Sequence, residues 1–104
     1  MRNSEQSRTR NLEHRRKRWC VYILKCSNNT LYTGVTDNIE RRIKEHNSKK
    51  GGHYTSTFGP VELVWEENHP NRSSAMKRER QIKRWTRKKK EALIEGDFWL
   101  LKQL

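Results

Sequence analysis

The stretch WCVYILKCSNNTLYTGVT, residues 19–36, decides the fold of this 104-residue chain. Its first seven residues are rich in aromatic and β-branched side chains. Apolar residues occupy both odd and even positions, which is typical of a central strand. The turn formers Ser27 to Thr30 follow, and Leu31 to Thr36 again has the composition of a strand. The stretch therefore predicts a β-hairpin.

A helix and a third strand are predicted after the hairpin. Asp37, with Glu40 three residues later, resembles a capping box and predicts a helix of about ten residues. The segment VELVWE, residues 61–66, follows Gly59-Pro60 and has strand character. Its alternation predicts that one face of the strand carries Val61, Leu63 and Trp65.

Two more helices complete the predicted order of elements. Residues 70–74 (PNRSS) offer N-caps for a helix that runs to about Trp85. Thr86 is the predicted cap of a short, very basic helix that ends at Gly96. The order β-β-α-β-α-α predicts an α+β domain, with a small three-stranded mixed sheet flanked by helices.

Composition limits the function. The chain has 24 Lys and Arg against 12 Asp and Glu, a formal charge of +12, and only 31% hydrophobic residues. Such a chain has room for one domain, which excludes a multidomain enzyme. The charge indicates a polyanionic partner, nucleic acid first and an anionic membrane surface second. The longest apolar run, Trp19 to Leu24, is far shorter than the roughly 20 residues that a membrane span needs, so we expect no membrane segment.

The first 18 residues differ from the rest in composition. They carry seven Arg or Lys and two Glu, which is +5 of the total charge. We expect a basic, disordered tail at 1–18 and a folded domain at 19–104. The run Arg15 to Arg18 is either a phosphate-binding arm or a solvated terminus. Cys20 and Cys26 form no C-x-x-C pair, which argues against a zinc finger. Free thiols and the lack of an export signal predict a cytoplasmic protein.

One acidic residue breaks the pattern of the second predicted helix. Met76, Glu79 and Ile82 are three residues apart, so the carboxylate lies on the apolar stripe of an otherwise basic helix. An acid in that position is either neutralised by a buried Arg or holds a cation. From spacing alone the ion pair is the more common arrangement.

Several other polar residues have ordinary structural explanations when taken singly. Arg42 and His46 border the apolar stripe of the first helix, where an arginine most often snorkels to solvent. Tyr22 and Tyr32, one in each hairpin strand, are by default packing aromatics with hydroxyls at the rim.

Taken together, these residues resemble a known family. The motifs are VYI at 21–23, YTG at 32–34, ERRIKEHN at 40–47 and KRERQIK at 77–83. Their spacing resembles the GIY-YIG nuclease superfamily, in particular the small stand-alone bacterial members that are similar to the N-terminal nuclease domain of excinuclease C. The resemblance covers residues 19–95. The predicted order of strands and helices agrees with that of the superfamily.

The resemblance implies an endonuclease that hydrolyses phosphodiester bonds in DNA with one divalent ion, Mg²⁺ or Mn²⁺, in DNA repair or recombination. Glu79 would be the metal ligand, which accounts for its place on an apolar stripe. Tyr22 would be the base that activates water, with His46 as the second candidate for that role. Tyr32 would orient water or phosphate, and Arg42 would stabilise the transition state.

The implied partner is nucleic acid, and the basic side chains around the site are its predicted contacts. These are Arg41, Lys44, His53, Arg80, Lys83, Arg84, Arg87, Lys88 and Lys89. We expect a monomer. The sequence leaves open whether a protein partner determines which site in the nucleic acid is cleaved.

The chain also departs from the family at two places. Val35 stands where the excinuclease-type domain has a lysine after its second motif. Residues 85–88 (WTRK) stand where many relatives have an asparagine. These differences keep open an alternative function, a nucleic-acid-binding or adaptor module on the same scaffold with little or no turnover. A protein whose charge serves only solubility is the third alternative, and the position of Glu79 argues against it.

Overall fold

A computed structural model of the chain describes residues 18–48 and 60–104. Three strands and four helices occur in these residues. In chain order they are β1 (Trp19–Lys25), β2 (Leu31–Thr36), α1 (Ile39–Asn47), β3 (Glu62–His69), α2 (Arg72–Lys83), α3 (Arg87–Glu95) and α4 (Phe98–Gln103). The predicted α+β class and the order of the first six elements are confirmed.

The sheet has the order β2-β1-β3, so the first strand lies in the centre as predicted. Both neighbours pair with β1 in the antiparallel sense, and Tyr22 faces Gly34 in the β1–β2 register. The prediction of a mixed sheet is therefore wrong. The chain returns through α1 before β3, which makes β2 and β3 parallel to each other, but β1 separates them.

The central strand is buried on both faces, which explains why both its odd and its even positions are apolar. One face, with Tyr22 and Leu24, packs against Ile39 and Ile43 of α1. The other face packs against α2 and α3, through the core cluster of Val21, Ile23, Ala75, Ile82 and Leu93. The sheet is thus a layer between α1 and the later helices, and each layer contributes to the core.

A β-bulge changes the predicted faces of β3. Ile23 pairs with Trp65 and Leu24 with Leu63, so the register shifts at Val64. Leu63 packs on the α1 side, whereas Val64 and Trp65 both pack on the α2 side. The prediction that Leu63 and Trp65 share a face is wrong because the inserted residue resets the alternation.

The helix ends follow local capping rules. Asn38 caps α1 in place of the predicted Asp37, Asn71 caps α2, and Thr86 caps α3. Gly96 ends α3 in the left-handed conformation, as predicted. The helix α4, capped by Asp97, was not predicted, and it leaves Phe98 and Trp99 largely exposed.

Two predictions fall on residues that the structure does not describe. The basic tail lies at 1–18, of which only Arg18 is described, and His53 lies in the segment 49–59. No helix within the described ranges has the length and apolar character that crossing a membrane requires.

Candidate active site

A cleft of about 250 Å³ lies beside the outer strand β2, and both α1 and α2 contribute to its walls. It brings together four of the five residues predicted to be catalytic, which come from four different elements. Tyr22 comes from β1, Tyr32 from β2, Arg42 from α1 and Glu79 from α2. Residues far apart in the sequence therefore form one site. Its hydroxyls and guanidinium suit a phosphate group, and its carboxylate suits a cation.

Gly34 is what allows Tyr22 to reach the cleft. The two residues face each other across the β1–β2 register, and the tyrosine ring lies directly over the glycine. A Cβ atom at position 34 would lie 2.5 Å from the Tyr22 hydroxyl oxygen, closer than real Cβ contacts occur. The glycine of the YTG motif is thus required by a close approach of the tyrosine side chain.

His46 does not line the cleft but lies behind it. The residue is only 1% exposed, and its Nε2 is 3.3 Å from the Tyr22 hydroxyl oxygen. Its ring also meets the Tyr32 ring edge-on, with centroids 5.3 Å apart. His46 is therefore placed to act on Tyr22 rather than directly on a molecule in the cleft.

The surroundings of this pair shift both pKa values away from the charged forms. Burial raises the pKa of the Tyr22 hydroxyl, and the opposing effect of a hydrogen bond from Arg42 is smaller. Burial, followed by the positive charge of Arg42, lowers the pKa of His46. At neutral pH, Tyr22 is thus a phenol and His46 a neutral imidazole.

Arg42 connects α1 to the tyrosines. One of its terminal nitrogens donates to Glu45 Oε1 at 3.0 Å. Burial lowers the pKa of Arg42, but hydrogen bonds with Tyr22 and Glu45 raise it by more, so the net shift is upward. The guanidinium is thus a permanent charge, fixed beside the Tyr22 hydroxyl by a carboxylate that lies one helical turn away.

Glu79 lies opposite these groups, and its side chain is 19% exposed. It forms an ion pair with Lys83, whose Nζ is 3.2 Å from Oε2. The ion pair that the spacing favoured is therefore present, but its partner is not a buried arginine. It is a lysine that is 55% exposed and lies at i+4 on the same helix. Exposed pairs of this type contribute little free energy, so a stronger cation can displace Lys83.

The donor set in the cleft restricts which divalent ion it can hold. Glu79 is the one carboxylate in the described lining, and no cluster of three His, Cys, Asp or Glu groups occurs in residues 18–48 and 60–104. Such a site does not suit Zn²⁺, which takes three or four protein ligands. It fits the Mg²⁺ that the resemblance implies, because this ion keeps several waters and binds through one or two carboxylates and a substrate phosphate.

Five lining residues were not among the predicted site residues: Gly34 and Val35 of β2, which lie within or beside the YTG motif, and three others. Trp19 begins β1, whereas Arg72 and Met76 precede Glu79 on α2. The spacing 72, 76, 79 is a helical stripe and could have revealed the last two. Trp19 had no such signal, because its position at the cleft depends on how β1 packs on α2.

The predicted nucleic-acid contacts fall on several surfaces. Arg80 and Arg84 line a second groove, of about 440 Å³, on the outer side of α2 with Lys77, Gln81 and Trp85. Lys89 lies over the Trp85 ring, 4.5 Å from its centroid, and Lys88 and Lys44 are exposed. The remaining described members have acidic partners: Arg41 pairs with Asp37 and Glu45, Lys83 with Glu79, and Arg87 with Glu91.

Comparison with known families decides the identity of the domain. The model of the GIY-YIG catalytic domain matches residues 18–92. The chain belongs to the GIY-YIG family. The expected family membership is thus confirmed, and with it a place in a family of nucleases.

Relatives of this GIY-YIG protein are small proteins of the same kind. A UPF0213 protein of Staphylococcus haemolyticus is 51% identical over 75 residues, which cover 72% of this chain and 92% of the relative. One from Natronomonas pharaonis is 50% identical, with 74% and 91% covered. The solution structure of a UPF0213 protein from Bacillus halodurans is 42% identical and matches with a TM-score of 0.50, covering 75% of this chain and 83% of that one. The names of these relatives state no activity.

Proposed function

We propose that this GIY-YIG protein is a divalent-metal-dependent endonuclease that hydrolyses phosphodiester bonds in DNA, with a role in DNA repair or recombination. The observation that supports the proposal is the convergence of Tyr22, Tyr32 and Arg42 with the carboxylate of Glu79 in one cleft. These groups supply what phosphodiester hydrolysis needs, namely a base for water, a charge for the phosphoryl oxygens and a ligand for a metal ion.

In this proposal Tyr22 and His46 act in series as the base. Arg42 carries only donors, so a hydrogen bond between it and the tyrosine uses the Tyr22 oxygen as acceptor. We assign the tautomer of the neutral His46 in which Nε2 carries no proton, so that the Tyr22 proton can be donated to this nitrogen. As Tyr22 takes a proton from the attacking water, its own proton passes to His46. A phenol with a raised pKa thereby acts as a base without becoming a phenolate.

The other groups act on the phosphate. Arg42 stabilises the charge that develops on the non-bridging oxygens, and Tyr32 orients the water or the phosphate. Glu79 would hold one Mg²⁺ or Mn²⁺ ion after Lys83 swings away. When bound, such an ion polarises the phosphoryl group and stabilises the leaving oxygen.

The experiment that tests this function is a cleavage assay with labelled single-stranded, duplex and branched DNA, in Mg²⁺, in Mn²⁺ and in EDTA. We expect metal-dependent cleavage by the wild type and a loss of about 10³-fold in Glu79→Gln, which keeps the shape of the side chain but not its charge. The matched control is Lys83→Gln, which removes the partner of Glu79 and should cost no more than a few-fold. Equal cleavage by wild type and Glu79→Gln would contradict the proposal.

A nucleic-acid-binding or adaptor module is the second candidate function. It is favoured by the groove on the outer side of α2, where Lys77, Arg80 and Arg84 have no carboxylate partner among the described residues. Such a surface binds phosphates whether or not the cleft catalyses hydrolysis. Salt-sensitive DNA binding that survives in Glu79→Gln, together with no cleavage by the wild type, would select this function.

Further expectations complete the proposal. We propose that the protein acts in the cytoplasm as a monomer, with residues 1–18 as a basic tail and 19–104 as the domain. The two cysteines, both buried and free, support a reducing compartment. A protein partner would supply the choice of cleavage site.

A further inference from the structure

The rim of the cleft carries a pair of side chains to which the proposed chemistry gives no role. Trp19, at the start of β1, and Arg72, at the start of α2, both line the cleft. The Cζ atom of Arg72 lies over the tryptophan ring, 5.7 Å from its centroid. The distance is within the range of a cation–π contact.

The charges in the cleft are not equally compensated. Arg42 has Glu45 as a partner, and Glu79 has Lys83. Arg72 is exposed and has no carboxylate within ion-pair distance in residues 18–48 and 60–104. Among the described charged groups that line the cleft, Arg72 is therefore the one without an oppositely charged partner.

The contact with Trp19 prepares Arg72 for that task. The ring engages the guanidinium without using any of its N–H donors, so the donors stay available for an anion. The same contact restricts a long side chain that would otherwise lose rotamer freedom on binding. Two parallel N–H donors match a pair of phosphate oxygens.

We propose that Trp19 and Arg72 form a second phosphate subsite, which binds the phosphate next to the one being cleaved. This inference rests on the proposed function, because it takes the Tyr22–Arg42–Glu79 side of the cleft as the place of the scissile phosphate. It implies that the substrate is a polynucleotide strand, since a mononucleotide or a lone phosphate leaves the subsite empty. Arg72 is here a substrate-binding residue, and Trp19 positions it.

The test measures binding of a labelled single-stranded DNA oligonucleotide in EDTA over a series of KCl concentrations. EDTA prevents metal-dependent cleavage, so the outcome does not depend on turnover. We expect Arg72→Gln to bind several-fold more weakly, with a salt slope that is smaller by about 0.7, the change for one lost contact to a single strand. Arg72→Lys should restore the slope but not the full affinity, because a lysine binds phosphate as a point charge.

Two further variants separate this subsite from its alternatives. Lys102→Gln removes the same charge from the exposed end of α4 and should leave the slope unchanged. Trp19→Leu keeps the charge and should weaken binding with little change in slope. An unchanged slope in Arg72→Gln, or an equal drop in Lys102→Gln, would overturn the subsite. If Arg72→Gln binds the oligonucleotide as tightly as the wild type while Trp19→Leu binds it more weakly, the subsite is overturned in favour of base stacking on Trp19.

The failure of the subsite and the failure of the nuclease proposal give different results. If the slope of Arg72→Gln falls but the wild type cleaves nothing in Mg²⁺ or Mn²⁺, a phosphate contact at Arg72 is supported and the nuclease is contradicted. If the wild type cleaves DNA and the slope of Arg72→Gln equals that of the wild type, only the subsite is overturned. A wild type that binds no oligonucleotide at low salt would overturn the subsite as well.

Discussion

The two walls of the cleft differ in how deeply they are built into the core. The tyrosine wall consists of Tyr22, Tyr32 and Arg42, with His46 behind it, and its Tyr22 and His46 are each 1% exposed. The α2 wall consists of Arg72, Met76 and Glu79, and among the described residues its carboxylate pairs only with an exposed lysine. Substitutions in the tyrosine wall should therefore alter stability and activity together, whereas those in the α2 wall should alter function alone.

The largest effect is expected at the guanidinium of the tyrosine wall. Arg42→Gln removes the charge beside Tyr22 and the closer of the two arginine partners of Glu45, so we expect a loss of cleavage of about 10³-fold. The free energy of unfolding should fall by about 1 kcal/mol, as measured by urea denaturation. The neighbouring Arg41→Gln is the matched control and should cost a few-fold at most. A full loss of activity in Arg41→Gln would show that the charge of α1, and not the position of Arg42, matters.

A smaller effect is expected where the tyrosine wall meets the sheet. Gly34→Ala places a methyl group against the Tyr22 hydroxyl, and a displaced tyrosine should cost about 100-fold in cleavage rate. The crowding should also cost about 2 kcal/mol of stability. Gly96→Ala is the control, because its positive φ makes it destabilising by about 1 kcal/mol, while no atom of the described residues beyond its chain neighbours lies within 4 Å of the new Cβ. Equal activity of the two variants would refute the role of the close approach.

The stability that His46 gives to the tyrosine wall should depend on pH. In the folded state the pKa of His46 lies below its ordinary value of 6.5, so the unfolded chain binds this proton more readily than the folded one. The contribution of His46 to stability is therefore complete above pH 6.5 and is lost as the pH falls through the folded pKa. Urea denaturation at several pH values should show this loss in the wild type, and His46→Gln should lack that part of it. An identical pH dependence in the two proteins would contradict a buried, neutral His46.

The smallest effect is expected outside both walls, in the groove on the outer side of α2. Arg84→Gln removes one basic side chain that lines this groove, so affinity for an oligonucleotide should fall about threefold and the salt slope should decrease. The rate of cleavage at saturating DNA should not change. A variant with reduced rate but normal affinity would place Arg84 in the reaction rather than in binding.

The sequence predicted more of the tyrosine wall than of its surroundings. The bounds of β1 and β2 were predicted because turn formers separate two apolar runs, and the family motifs identified Tyr22, Tyr32, Arg42 and Glu79. The bulge at Val64 could not be predicted, because the alternation of side chains over residues 61–66 contains no signal of an inserted residue. Helix α4 lacks a long periodic pattern, so it was missed.

Contacts between residues of different strands and helices could not be predicted from the sequence either. The spacing in α1 put His46 at the margin of an apolar stripe, but only packing decides that it lies behind Tyr22 and outside the cleft. In the same way, Trp19 and Arg72 meet because β1 packs on α2. Local patterns predict elements and the stripe on which a residue lies, whereas distances between elements follow from the assembled core.

The central claim is that the two walls act in one reaction. It is tested most directly by a double-mutant cycle of Tyr22→Phe and Glu79→Gln, with single-turnover cleavage of DNA in Mg²⁺ as the measured rate and urea denaturation as the check on folding. We predict that each single variant loses most of the activity and that the double variant is no slower than the slower single one, because groups that act as a unit are not additive. Two independent, additive losses, or full activity in either folded single variant, would contradict the claim.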